Sequence, residues 1–131
     1  MNTKFFLLAG CITALLAVVI GAFGAHGLEN ILDNKMQAIY ETGVNYQFYH
    51  SFALIITGIL IYLWPDTKSF RMAGMSFLLG IIIFSGSLYL YTLTNNKVFG
   101  MVTPLGGLSF LLGWILLAIS LWKQDLHPPL S

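Results

Sequence analysis

"FFLLAGCITALLAVVIGAFGA", residues 5–25, decides the fold class, because it carries no charged side chain and no proline. A helix rises about 1.5 Å per residue, so roughly 20 apolar residues are needed to cross the hydrocarbon core of a bilayer. This stretch meets that length. Residues 44–64, 72–94 and 101–122 do so as well, each free of Asp, Glu, Lys and Arg. Lipid offers no hydrogen bonds to an open backbone, so four such runs must be helices packed on one another. The sequence therefore reads as an all-α integral membrane four-helix bundle, a single membrane domain over 1–131.

Composition closes off the alternatives. Hydrophobic residues make up 57% of the chain and charged ones 8%, and the mean hydropathy is +0.81. Soluble domains carry about 25% charged residues, so this chain could not cover a water-facing surface. A net charge of +1 supplies no basic face for nucleic acid. Cys11 is the only cysteine, which excludes an internal disulfide or a CxxC pair.

Lysine and arginine in the connections orient a multi-pass chain. Lys4, Lys68, Arg71 and Lys123 fall at one end, Lys35 and Lys97 at the other. Both the N- and C-termini are therefore expected in the cytoplasm. Two processing signals overlap the first run: "LAGC" at 8–11 has the form of a lipobox, and "AFGA" at 22–25 that of a signal-peptidase site. The apolar run continues well past Cys11 and exceeds the usual signal-peptide core of about 7–15 residues, so an uncleaved helix is expected.

Gly10, Ala14, Ala17, Gly21 and Gly24 recur at spacings of three and four, on one stripe of the first helix. Ala73, Ser76 and Gly80 do the same in the third run, as do Gly106, Ser109 and Gly113 in the fourth. Apolar surface gives helices in lipid little drive to associate, so small residues that permit close approach are read as packing positions. The expected partners are membrane lipids and, through such stripes, a second copy of the chain or another membrane protein.

His26 falls where the first helix leaves the membrane, and its plain reading is an interfacial side chain at a helix C-terminus. In the following "LENILDNKMQAI", Leu28, Ile31, Leu32, Met36 and Ile39 share a face. That pattern reads as a short interfacial amphipathic helix over about 28–39. Only Gly43 interrupts the way to the second crossing, so the alternative is a helix running straight on.

"ETGVNYQFYHSF", residues 41–52, is the densest polar stretch. Gly43, Tyr46, His50, Ala53 and Thr57 share one face, with Gln47 beside it. His50 lies about 9 Å along the helix from Val44, below the headgroups. Polar groups there need partners, and ionisable ones are functional candidates. At matching depth the third helix carries Ser85, Ser87, Tyr89 and Tyr91, and the fourth Thr103 and Pro104. On this reading the polar residues collect in the outer half, without the midplane groups that alternating access would use.

Two interpretations compete. In one, Tyr46, Gln47, His50 and the third-helix serines form an interhelical hydrogen-bond network that fixes register. In the other, His26, Tyr46, Gln47, His50, Ser85, Tyr89 and Thr103 line an outward-facing pocket for a lipid or quinone-like molecule. Haem held between His26 and His50 is the weakest, since the two should lie at different depths. No other cofactor and no metal is expected. His127, in the tail "QDLHPPLS", reads as solvated. The chain has no GxSxG, HExxH or Walker loop, and no GxGxxG after a strand, so no catalytic residue is assigned.

Four blocks, in order, carry a family resemblance: "GAFGAHGL", "YETGVNYQFYHSFAL", "GIIIFSGSLY" and "TPLGGLSFLLGW". Together they resemble domain-of-unknown-function family 423, the YgdD/YwdK-like small inner-membrane proteins, over residues 5 to about 122. The resemblance implies four helices in the bacterial plasma membrane and no assigned reaction. The family pattern coincides with His26, Tyr46, Gln47, His50, Ser85, Gly86, Pro104 and Gly106. The expected function is non-enzymatic, a small interaction or membrane-organising protein. The pocket is the alternative, and a membrane enzyme using His50 as a base comes third.

Overall fold

The structure, a computed structural model, describes residues 2–125. Four helices long and apolar enough to cross a membrane run up and down: α1 (Thr3–Gly27), α2 (Asn34–Leu63), α3 (Lys68–Thr94) and α4 (Lys97–Trp122). No strand occurs among the described residues. The fold is an all-α membrane bundle.

Side-chain caps set three of the four helix starts. Asn2 Oδ1 accepts from the Phe5 N–H at 3.1 Å, Asp33 Oδ1 from Met36 at 2.8 Å and Asn96 Oδ1 from Val98 at 3.1 Å. The Asp33 cap decides the form of the 28–39 segment. Ahead of it the chain turns, with the N–H groups of Ile31 and Leu32 on the Leu28 carbonyl at 3.0 Å. Helix begins only at Asn34, so the interfacial helix expected over 28–39 merges into α2 as its first turns. Gly43 does not interrupt it, because the glycine is buried against Tyr89 and Leu88. Between α3 and α4, Asn95 takes the left-handed conformation (φ 54°) that asparagine tolerates, and the chain reverses at once.

α2 and α3 form the middle of the bundle, with α1 resting chiefly on α2 and α4 on α3. Phe6, Leu54, Phe70, Phe77 and Phe110 anchor the apolar core. Small residues serve it in two ways. The rings of Phe6, Phe77, Phe110 and Tyr40 lie over Gly74, Gly113, Gly80 and Gly24. At Gly10 and Gly106 the neighbouring backbone itself comes close: a Cβ would stand 2.8 Å from the Ser51 carbonyl oxygen at the first and 2.7 Å from Phe84 Cα at the second. Ala17 is buried, while Ala14 and Gly21 are half-buried.

Midway along α3, Ile81–Ser85 form a π-helical turn. Such a turn carries one extra residue and often marks a functional position. Here the Phe84 backbone lies against Gly106 of α4, and Ser85 Oγ donates to the Gly43 carbonyl of α2 at 2.6 Å. The turn thus ties α3 to both neighbours at one level.

Candidate functional site

α2 carries polar groups on two faces, and the structure gives them different surroundings. On the inner face Gln47 Nε2 donates to the Thr13 carbonyl of α1 at 2.8 Å, and its Oε1 accepts from the Tyr89 hydroxyl of α3 at 2.7 Å. Ser51 Oγ lies 2.8 Å from Thr13 Oγ1 and 2.6 Å from the Gln47 carbonyl. One amide therefore holds three helices together. Nearer the loops, Ser87 and Thr103 share a hydrogen bond of 2.7 Å between α3 and α4.

The other face holds Tyr46 and His50. Trp114 Nε1 donates to His50 Nε2 at 3.1 Å, while His50 Nδ1 sits 2.7 Å from the Tyr46 carbonyl. An indole N–H can only donate, so Nε2 must be bare and the proton must sit on Nδ1. The imidazole is therefore neutral with both nitrogens occupied. It also stacks on Phe110, with centroids 3.6 Å apart and planes 12° apart.

Beside this pair, α2 and α4 part to leave a groove of about 580 Å³, lined by Tyr46, His50, Phe84, Pro104, Phe110 and Trp114 with Gly107 and two leucines. Its rim is open, with Tyr46 40% and Trp114 45% exposed, while His50 on the floor is 5% exposed. The groove opens on the side of the bundle, between α2 and α4, and not at either end. Rings cover its wall continuously, since Tyr46 and Phe84 stack at 4.7 Å. Among the lining side chains, only the Tyr46 hydroxyl lacks a partner among the described residues.

The seven candidates from the sequence thus fall in different places. Tyr46 and His50 line the groove. Gln47, Ser85, Tyr89 and Thr103 make interhelical hydrogen bonds away from it. His26 is exposed at the end of α1, thirteen residues from Thr13, or about 20 Å along the helix. His26 and His50 are therefore not brought together. His127 lies outside the described residues.

Depth also differs from the sequence pattern. Thr13 lies near the middle of α1 and Phe110 near the middle of α4, so the His50 layer sits at mid-length of the bundle, not in its outer half. The reason is the length of α2, whose residues 34–43 add about 15 Å of helix beyond Val44. Thr13, Ser51, Phe84, Phe110 and Trp114 were not singled out from sequence. A signal existed for Trp114, because an indole N–H in an apolar run needs an acceptor.

The model of the family described as "Protein of unknown function (DUF423)" matches residues 20–107, a stretch that includes Tyr46, His50, Phe84 and Pro104. A UPF0382 membrane protein of Staphylococcus haemolyticus is 43% identical over 122 residues, covering 92% of this chain and 97% of the relative. The UPF0382 membrane protein YwdK of Bacillus subtilis is 41% identical over 120 residues, covering 92% and 98%. No solved structure matches the chain. With a family match across its two middle helices and relatives aligned along nearly its whole length, the chain belongs to the DUF423 family of membrane proteins.

Proposed function

We propose that this multi-pass membrane protein binds a flat apolar molecule of the quinone or ring-bearing lipid class, taken from the bilayer into the groove between α2 and α4. The observation that carries this reading is a groove of about 580 Å³ that combines a lipid-facing mouth, an aromatic wall and one free hydroxyl, that of Tyr46. A planar ring gains from stacking on such a wall. The Tyr46 hydroxyl supplies a donor for a ring carbonyl. His50 acts here as a support that orients Trp114, because neither of its nitrogens is free to take a proton from a ligand. Binding without turnover is the role that follows.

A second reading, association with another copy of the chain, is favoured by Asn45. Its amide is exposed on α2 beside a shallow cleft lined by Ala17, Gly21 and Ala22 of α1. For location, we place the bundle in the bacterial plasma membrane with both termini cytoplasmic. Lys4, Lys68, Arg71 and Lys123 support that orientation, since they gather at the end where α1 begins.

The test uses Trp114 as a reporter. A chain in which Trp64 and Trp122 are replaced by phenylalanine is placed in liposomes and titrated with a short-chain quinone. Saturable quenching that Gly107→Leu abolishes is expected. Quenching that rises linearly and ignores Gly107→Leu would contradict the proposal.

A further inference from the structure

Arg71 is a cation with no carboxylate oxygen within 4.0 Å among the described residues, although Asp66 follows Pro65 in the same turn. One guanidinium N–H donates to the Pro65 carbonyl at 2.8 Å, while Nε is buried with no hydrogen-bond partner. The residue sits in the first turns of α3, at the end of the bundle where α1 begins. A cleft of about 390 Å³ extends from it between α3 and α4, lined by Met72, Met75, Ser76, Leu112 and Leu116. The wall is effectively apolar, because the Ser76 hydroxyl is engaged by the Met72 carbonyl at 2.9 Å. This cleft lies on the opposite side of α4 from the aromatic groove.

Depth and chemistry point to the occupant. Arg71 is ten residues from the π-turn at mid-α3, about 15 Å along the helix, which is half the thickness of a hydrocarbon core. A long cationic side chain there lifts its head to the phosphate level and keeps its stem in the acyl region. Lys68, one turn earlier, adds to the positive field. A fork of guanidinium donors suits a phosphate diester, and two methionines and two leucines suit the chain below it.

We infer that the α3/α4 cleft is a site for one anionic glycerophospholipid, its phosphate on Arg71 and an acyl chain laid along Met72, Met75, Leu112 and Leu116. The site is independent of the aromatic groove and does not require a ligand there. It separates a specifically held lipid from the general lipid surround.

Native mass spectrometry of the full chain, stripped of lipid in detergent and titrated with phosphatidylglycerol or phosphatidylcholine, tests the site. One phosphatidylglycerol should survive activation that strips phosphatidylcholine. Arg71→Gln should weaken its retention about tenfold, as expected for loss of a charge-assisted hydrogen bond. Lys123→Gln should keep most of it, and Arg71→Lys should fall between the two, since lysine keeps the charge and loses the fork. Leu112→Trp fills the cleft and leaves the guanidinium in place, and it should displace the lipid too, which keeps the test open if Arg71→Gln fails to fold. Equal retention of the two lipids, retention by both Arg71→Gln and Leu112→Trp, or displacement by millimolar inorganic phosphate would overturn the assignment. So would lipid-free dimers in place of the lipid adduct, since a second copy would then be the occupant.

Discussion

The two faces of α2 contain the same kinds of residue and do opposite things. Toward α1 and α3, Gln47 and Ser51 meet their partners at 2.6–2.8 Å and leave no space. Toward α4, Tyr46 and His50 border an open groove, and the Tyr46 hydroxyl has no partner among the described residues. Adjacent glycines of α4 mark the boundary. A Cβ at Gly106 would meet the Phe84 backbone, whereas one at Gly107 would find nothing nearer than the Phe84 ring at 3.9 Å. A saturated polar layer contributes register and stability. An aromatic wall with spare volume contributes a place for something else.

The largest effect should come from closing the wrong glycine. Gly106→Val forces a branched side chain into the Phe84 backbone and should cost about 3 kcal/mol of stability, the upper end for overpacking. Gly107→Ala should leave the melting temperature unchanged. A detergent thermal scan of the pair checks the boundary directly, and equal effects would erase it.

Gln47→Leu comes next. It strands the Tyr89 hydroxyl, and an unpaired buried polar group costs about 1–3 kcal/mol, while the Thr13 carbonyl keeps its bond within α1. Adding Tyr89→Phe should recover part of the loss, so that the double variant is less damaged than the sum of the singles. Strict additivity would mean that the two side chains do not share a bond.

On the groove side, His50→Leu removes the acceptor for Trp114 together with the local bond to the Tyr46 carbonyl and the stack on Phe110; the one interhelical hydrogen bond among these is worth about 0.6–2 kcal/mol in a membrane. The indole should then become freer, with a red-shifted emission in the chain that retains Trp114 alone. Tyr46→Phe is the smallest change. Its hydroxyl has no partner among the described residues, so stability should hold within about 0.5 kcal/mol. Affinity for a quinone should drop roughly fivefold, as expected from one lost neutral hydrogen bond.

The four crossings were legible in the sequence because length and the absence of charge decide them almost alone. Tyr46 and His50 were also legible as polar residues that need a partner. Which partner each finds depends on how the helices are rotated, and 3/4 spacing does not report rotation between helices. Gln47 and Tyr46 are neighbours in sequence, yet they face different helices. The π-turn left no mark in "IIIFS", since backbone geometry there follows from packing against Gly106 and Gly43. The depth of His50 was misplaced for a simpler reason: Asp33, an available N-cap, sat inside a segment whose apolar face suggested a separate helix.

The most direct measurement is of what the protein carries out of its own membrane. Wild-type chain and Gly107→Leu are purified in a mild detergent, extracted with organic solvent and compared by mass spectrometry. Occupancy of the groove predicts a ring-bearing apolar compound, near-stoichiometric with the wild-type chain and missing from Gly107→Leu, at equal melting temperatures. Identical extracts from the two, holding bulk phospholipid alone, would contradict it.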